Sequence, residues 1–129
     1  MRVDRDLYEE WKREEASRIS GWDFGHIENR CFEDHTPWDY EAMARQLVRK
    51  SEAVLDMGTA GGELFASLAP LPCRAAATEI DPRFVITARR RLTRLGVEVV
   101  ECDYDRGMPF VDGEFDLVLN SHSSLPIKE

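Results

Sequence analysis

The stretch AVLDMGTAGGELFASL, residues 53–68, decides how the rest of the chain is read. Its first part, AVLDM, is a short apolar run interrupted by one acid, Asp56. The run breaks into a turn where Gly58, Gly61 and Gly62 crowd together, and ELFASL then opens an amphipathic period. A short apolar run ending in turn chemistry suits a strand buried on both faces. A loop that only had to turn would not need so much backbone freedom. Glycines packed this closely let the backbone approach a ligand with no side chain in the way.

Downstream, the period keeps alternating. RAAATEI, 74–80, reads as a second strand, although alanine is a poor strand former. DPRFVITARRRLTRL, 81–95, is the clearest helix: Asp81 caps it and Pro82 takes the first position. Phe84, Val85, Ala88, Leu92 and Leu95 form its apolar stripe, and Gly96 ends it. VEVVECD gives a third strand, DYDRGMPFVDGE a loop and FDLVLN a fourth strand. Strands spaced by helices imply parallel pairing through right-handed crossovers, with helices on both faces of the sheet. The expected fold class is α/β, a Rossmann-like three-layer sandwich.

Upstream, the chain reads as a helical leader or lid over residues 1–52, set before an α/β domain over 53–129. Leu7, Tyr8, Trp11 and Ile19 carry a helical period that Asp4 or Asp6 can cap and Ser20-Gly21 can stop. A second helix is expected from about Trp38 to Lys50. There Tyr40, Met43, Ala44, Leu47 and Val48 share a face, and Pro37 sits near the first turn. ELFASLAPL is a short helix stopped by Pro70 and Pro72. Trp22, Phe24, Trp38 and Tyr40 are candidates to fold over a ligand as a lid.

Composition narrows the function classes. The 129 residues allow one modest core, and 43% hydrophobic with 33% charged residues marks a globular chain. A net charge of -8 works against adhesion to nucleic acid or anionic membrane, although a local basic face is still open. No apolar run approaches the roughly 20 residues a membrane span needs, and the charged start is no signal peptide; the expected setting is cytoplasmic. Cys31, Cys73 and Cys102 are odd in number without C-x-x-C spacing, so neither a disulfide framework nor a metal site is expected.

An open α/β sheet binds ligands at the carboxyl ends of its strands. Those tips carry Asp56 and the glycines, then Glu79, Asp103 and Asn120. Glu79 stands about 20 residues past the first glycine, where a carboxylate reaches ribose hydroxyls in nucleotide folds. Asp103 can accept from an exocyclic purine amine. A dinucleotide would need G-x-G-x-x-G, but Ala60 and Glu63 replace its second and third glycines, and an acid there repels pyrophosphate. A ligand with an ammonium and a sulfonium would favour Asp56 and Glu63, which points to S-adenosylmethionine.

Three segments resemble the ordered motifs of class I S-adenosylmethionine-dependent methyltransferases: VLDMGTAGGEL, ATEIDPRFVITAR and VECDYDRGMPFVDGEFDLVLN. The resemblance covers about residues 53–121. It implies the strand order 3-2-1-4, the cofactor-binding half of that family's sheet, with the chain ending just after strand four. It also implies cofactor contacts at Asp56, Gly58, Thr59, Ala60, Gly61, Gly62, Glu79, Ile80, Asp103, Tyr104 and Asn120. No catalytic residue follows from it; His122 and Asp103 are the general bases to consider. Ala60 replaces the family's middle glycine, and NSHS after strand four is not the Asn-Pro-Pro-aromatic sequence of base-amine methyltransferases. Two functions stay open: methyl transfer to an unidentified acceptor, and a truncated module that binds S-adenosylmethionine without transfer. In the second reading dimerisation or a partner completes the fold. Strand four would present a bare edge, which is expected either to be covered by a second copy of the protein in a homodimer or to mark the chain as a fragment.

Overall fold

A computed structural model describes residues 4–17 and 25–123. The chain divides after Glu33 into two compact units. In the first, α1 (Arg5–Glu15) starts at Asp4, whose Oδ1 accepts from the backbone N–H of Asp6 at 3.0 Å and of Leu7 at 3.5 Å. Of the two candidate caps, Asp4 is the one used. Leu7, Tyr8 and Trp11 are exposed on this helix, which ends at Ala16. Arg30 pairs with Glu14 at 2.9 Å. Ile19, the Ser20-Gly21 stop and the lid residues Trp22 and Phe24 lie outside the described residues.

The second unit contains α2 (Tyr40–Val48), β1 (Ala53–Met57), α3 (Glu63–Ser67), β2 (Arg74–Glu79), α4 (Pro82–Leu92), β3 (Val97–Glu101) and β4 (Leu117–Asn120). The four strands are parallel in the order β3-β2-β1-β4. Asp81 caps α4 through the Arg83 N–H at 2.9 Å, with Pro82 in the first turn. The start of α2 is two residues later than expected because the Asp39 carboxylate accepts from Ala42 N–H at 2.9 Å and sets the boundary. Pro37 therefore precedes the helix. The apolar stripe of α2 is also narrower than its period implied, since Ala44 and Val48 are buried whereas Met43 and Leu47 are exposed. Because α2 belongs to the second unit, the compact boundary falls at residue 33 rather than 52.

Side chains alternate between the two faces of the sheet. On one face Val54, Ala75, Ala77, Val97, Val99 and Leu119 share a core with Ala44 and Val48 of α2, Phe65 of α3, and Val85, Ala88 and Leu92 of α4. On the other, Leu55, Met57 and Ala76 pack with Cys102 and Tyr104, joined by Met108, Phe110 and Phe115. Three layers are present, but the expectation of helices on both faces is corrected: the second face is covered by the β3–β4 connection. Gly107, Pro109 and Gly113 interrupt that connection, so it forms only a 3-10 turn (Tyr104–Arg106) and covers the sheet with aromatics instead. The alanines of β2 are buried without exception, and the central position of the strand outweighs their weak propensity.

The amino end of the sheet is pinned by charge. Asp116 accepts from Glu52 N–H and Ala53 N–H, both at 2.9 Å, joining the starts of β1 and β4. Arg74 pairs with Glu98 at 2.6 Å and with Glu114, and lies over the Phe110 and Phe115 rings at 5.7 and 5.1 Å.

Candidate functional site

β1 delivers Asp56 to the carboxyl end on the helix-covered face, in register with Ala77 of β2 and Leu119 of β4. It is buried, and among the described residues no cation pairs with it. Burial pushes its carboxyl up to about 6; the Thr59 hydroxyl beside it works against that rise and the Glu79 charge adds to it. The Thr59 hydroxyl falls short of a well-formed hydrogen bond and is left buried without a partner. Tyr40, at the start of α2, is half-buried nearby, and its phenol is raised by burial and by the Asp56 charge.

The turn after β1 doubles back on itself. Gly58 and Gly62 adopt left-handed backbone, and so does Ala60, with φ at 51°. A side chain at Gly62 would meet Leu92 of α4 at 2.8 Å, so this glycine is also required for α3 and α4 to pack closely. The left-handed conformation of Ala60 costs about 1–2 kcal/mol in an L-residue. It is held there because its N–H donates to Glu79 Oε2 at 2.8 Å.

Glu79 is buried at the tip of β2, and its other oxygen accepts from Ile80 N–H at 2.8 Å and Asp81 N–H at 3.0 Å. A carboxylate offers about four lone-pair sites, so three backbone donors leave room for roughly one further hydrogen bond. Asp56, Thr59, Ala60, Gly61, Gly62 and Glu79 are thus brought together around one turn.

Other candidate residues stand differently. Asp103 is half-buried, caps the following 3-10 turn through Asp105 N–H at 3.1 Å, and has Arg106 Nε 3.6 Å away. Ile80 is exposed. Tyr104 lies in the second-face core with its hydroxyl 2.7 Å from Thr78 Oγ1. Burial raises its phenol, while Thr78, the Gly58 backbone and the Ser123 hydroxyl work against the rise. Cys102 is a small buried hydrophobe. Asn120 is wholly engaged with Ser123: Oδ1 accepts from Ser123 N–H at 2.9 Å and Nδ2 donates to Ser123 O at 3.0 Å. His122 is exposed, with Nδ1 3.1 Å from Ser121 Oγ.

Two features escaped the sequence. Glu63 was expected to attract a cationic ligand and repel pyrophosphate, but it is ion-paired with Arg91 at 2.7 Å, and Arg91 also donates to Gly61 O. Its charge is already answered, so both expectations now rest on Asp56. An arginine on the polar side of α4 gave no sign of this pairing. Ser123 packs on Gly58, and no motif announces it. Among the described residues there is no cluster that could hold a metal ion, and no helix is long and apolar enough to cross a membrane.

Residues 54–128 match a family model described as a methyltransferase domain. Among solved structures, BH2331 of Bacillus halodurans C-125, a candidate methyltransferase, is 29% identical, with a TM-score of 0.52 over 63% of this chain and 37% of its own. CalS10 of Micromonospora echinaspora, an amino pentose methyltransferase solved with bound S-adenosylmethionine, is 18% identical, with a TM-score of 0.53 over 95% of this chain and 44% of its own. A SAM-dependent methyltransferase from Aquifex aeolicus is 21% identical, with a TM-score of 0.52 over 63% and 47%. This chain therefore spans less than half the length of each of these structures. No curated protein matches it.

Proposed function

Because the chain belongs to the methyltransferase domain family, we propose that it binds S-adenosylmethionine at the carboxyl edge of its sheet and donates the methyl group to an acceptor. The observation that carries this reading is Asp56: a buried carboxylate without a cation, beside a glycine turn, at the place where α/β sheets take their ligands. A buried acid left in that state favours a ligand that brings positive charge and disfavours one that brings phosphate. The unpartnered Thr59 hydroxyl fits the same polar, cationic group.

S-Adenosylmethionine would supply a methyl already activated on a sulfonium, so the transfer needs alignment and a dry site more than covalent help. The work of the chain follows from that. Asp56 balances positive charge in a site where water screens little. The backbone at Gly58 and Gly62 allows close approach. Glu79, oriented by three backbone donors, presents its remaining lone pair to ribose hydroxyls; taking both hydroxyls requires release of Ala60 N–H. Asp103 at the tip of β3 is the adenine-facing acid of this proposal, and Tyr40 closes the Asp56 side from solvent.

The acceptor is left open, as is the general base. The β4 edge, which among the described residues pairs only with β1 and exposes Val118, is proposed to meet a second copy of the chain. Light scattering that returns a monomer at high concentration removes that part. Calorimetry with S-adenosylmethionine and NAD tests the whole: uptake of the first alone is expected, and failure to take up S-adenosylmethionine overturns the proposal.

A further inference from the structure

The segment after β4 lies where the glycine turn would have to receive a ligand. A Cβ placed on Gly58 would run into the Ser123 side chain, with Ser123 Oγ only 2.9 Å away. The two residues therefore touch, and nothing fits between them. The turn that carries Ser123 is closed on itself, because the Asn120 amide bonds both the N–H and the C=O of Ser123. By contrast, Ser123 makes no hydrogen bond to the glycine turn among the described residues; contact with Gly58 and the interaction of its hydroxyl with Tyr104 hold it there. The contact is also imperfect. Ser123 Oγ and Thr59 Oγ1 are both buried without a well-formed hydrogen bond. Buried hydroxyls in that state weaken the arrangement that buries them.

We infer that the Asn120–Ser123 turn is a latch, rigid in itself and weakly seated on Gly58, that must lift before the donor nucleoside can enter. Resting on the cofactor reading above, it adds a step to it. The latch is built so that lifting breaks no hydrogen bond between the turn and Gly58. It uncovers the Ser123 hydroxyl and clears the approach to the Gly58 backbone. Tyr104, whose hydroxyl stands by Thr78, forms the floor under Ser123 and stays in the core. Only the open form binds, so the apparent affinity of the parent is reduced by the open fraction.

The test is the association rate of S-adenosylhomocysteine, followed by stopped flow, for the parent chain and three variants. Asn120→Ala removes the amide that shapes the turn, and Ser123→Gly removes the side chain seated on Gly58. Ser123→Ala keeps the Cβ contact and deletes only the hydroxyl. Faster association is expected for Asn120→Ala and Ser123→Gly, by roughly tenfold if the parent is open about a tenth of the time. Ser123→Ala should associate at nearly the parent rate. The two unlatching variants act at different atoms, so if melts show one to be unfolded the other still decides. Equal rates in all four chains overturn the latch alone. Loss of affinity in both Ser123→Ala and Ser123→Gly overturns it as well, since the hydroxyl would then be a ligand contact. A parent that takes up no S-adenosylhomocysteine removes the cofactor reading and the latch together, a result distinct from the other two.

Discussion

Acids gather at both ends of this sheet, in opposite company. At the amino end, Asp116 receives two backbone N–H groups and Glu114 receives Arg74; the carboxyls of both are held below their usual range, chiefly by those hydrogen bonds. At the carboxyl end Asp56 is buried, receives no cation among the described residues and is pushed up to about 6. Two hydroxyls there lack partners, and Ala60 holds a backbone conformation that its side chain disfavours. One end is built to hold the strands together. At the other, polar groups have been left without partners at a cost to stability, and such groups collect where a ligand completes them.

The sharpest way to break this comparison is at Glu79, an acid of the carboxyl end that is satisfied as fully as those of the amino end. Glu79→Ala orphans three backbone donors, each worth about 1–3 kcal/mol when buried and unpaired. It should lower the melting temperature most of all and abolish S-adenosylmethionine uptake in calorimetry. Should this variant bind like the parent, the carboxyl edge is not the site.

Asp56→Asn should move stability and binding in opposite directions. The folded carboxyl is raised from 3.8 to about 6, so the folded state holds its proton more tightly than the unfolded chain. Stability from this group is fully present below pH 3.8 and is lost as pH rises through about 6. At pH 7 the asparagine variant should therefore be more stable, by roughly 2–3 kcal/mol at about 1.4 kcal/mol per unit. Its affinity for the cationic ligand should fall at least tenfold, and parent binding should strengthen as pH rises through 6. Denaturant melts at pH 4.5 and 7, with calorimetry at both, check the pair; a destabilised asparagine variant contradicts the picture of a strained acid.

Asp116→Ala should do the reverse of Asp56→Asn. It frees two N–H groups at the amino end, so the melting temperature should fall by a few degrees while ligand affinity stays at the parent value. Since its folded carboxyl is lowered, the contribution of Asp116 is present at neutral pH and lost on acidification, a trend the variant should lack. The smallest effect is expected from Ala60→Gly, which relieves the left-handed strain but loses a buried methyl and loosens the unfolded chain. These contributions nearly cancel, and a net change of less than about 1 kcal/mol in a urea melt is expected.

Where neighbours in sequence set the structure, the reading from sequence holds closely. The β1 bounds, the Asp81-Pro82 start of α4 and the Gly96 ending depend on burial pattern, capping and turn geometry within a few residues. Helix ends elsewhere drift: α3 stops at Ser67, ahead of both prolines, and α2 waits for Asp39. The candidate site was legible only as a set of strand tips, because parallel crossovers bring consecutive carboxyl ends to one edge whatever the side chains do. What each tip residue touches was not legible.

The sequence by itself determined the alternation of strands and helices, the glycine turn and the presence of acids at the tips, since these follow from local periodicity and backbone freedom. Only the tertiary structure decided that Arg91 answers Glu63, that three backbone N–H groups hold Glu79, that Asp56 is left without a cation, and that Ser123 rests on Gly58. Those pairings join residues 19 to 65 positions apart, with Ile80 and Asp81 as the local exceptions, and depend on how the crossovers pack. Whether a charge is paired is a property of the assembled edge and is written in no single segment of the chain.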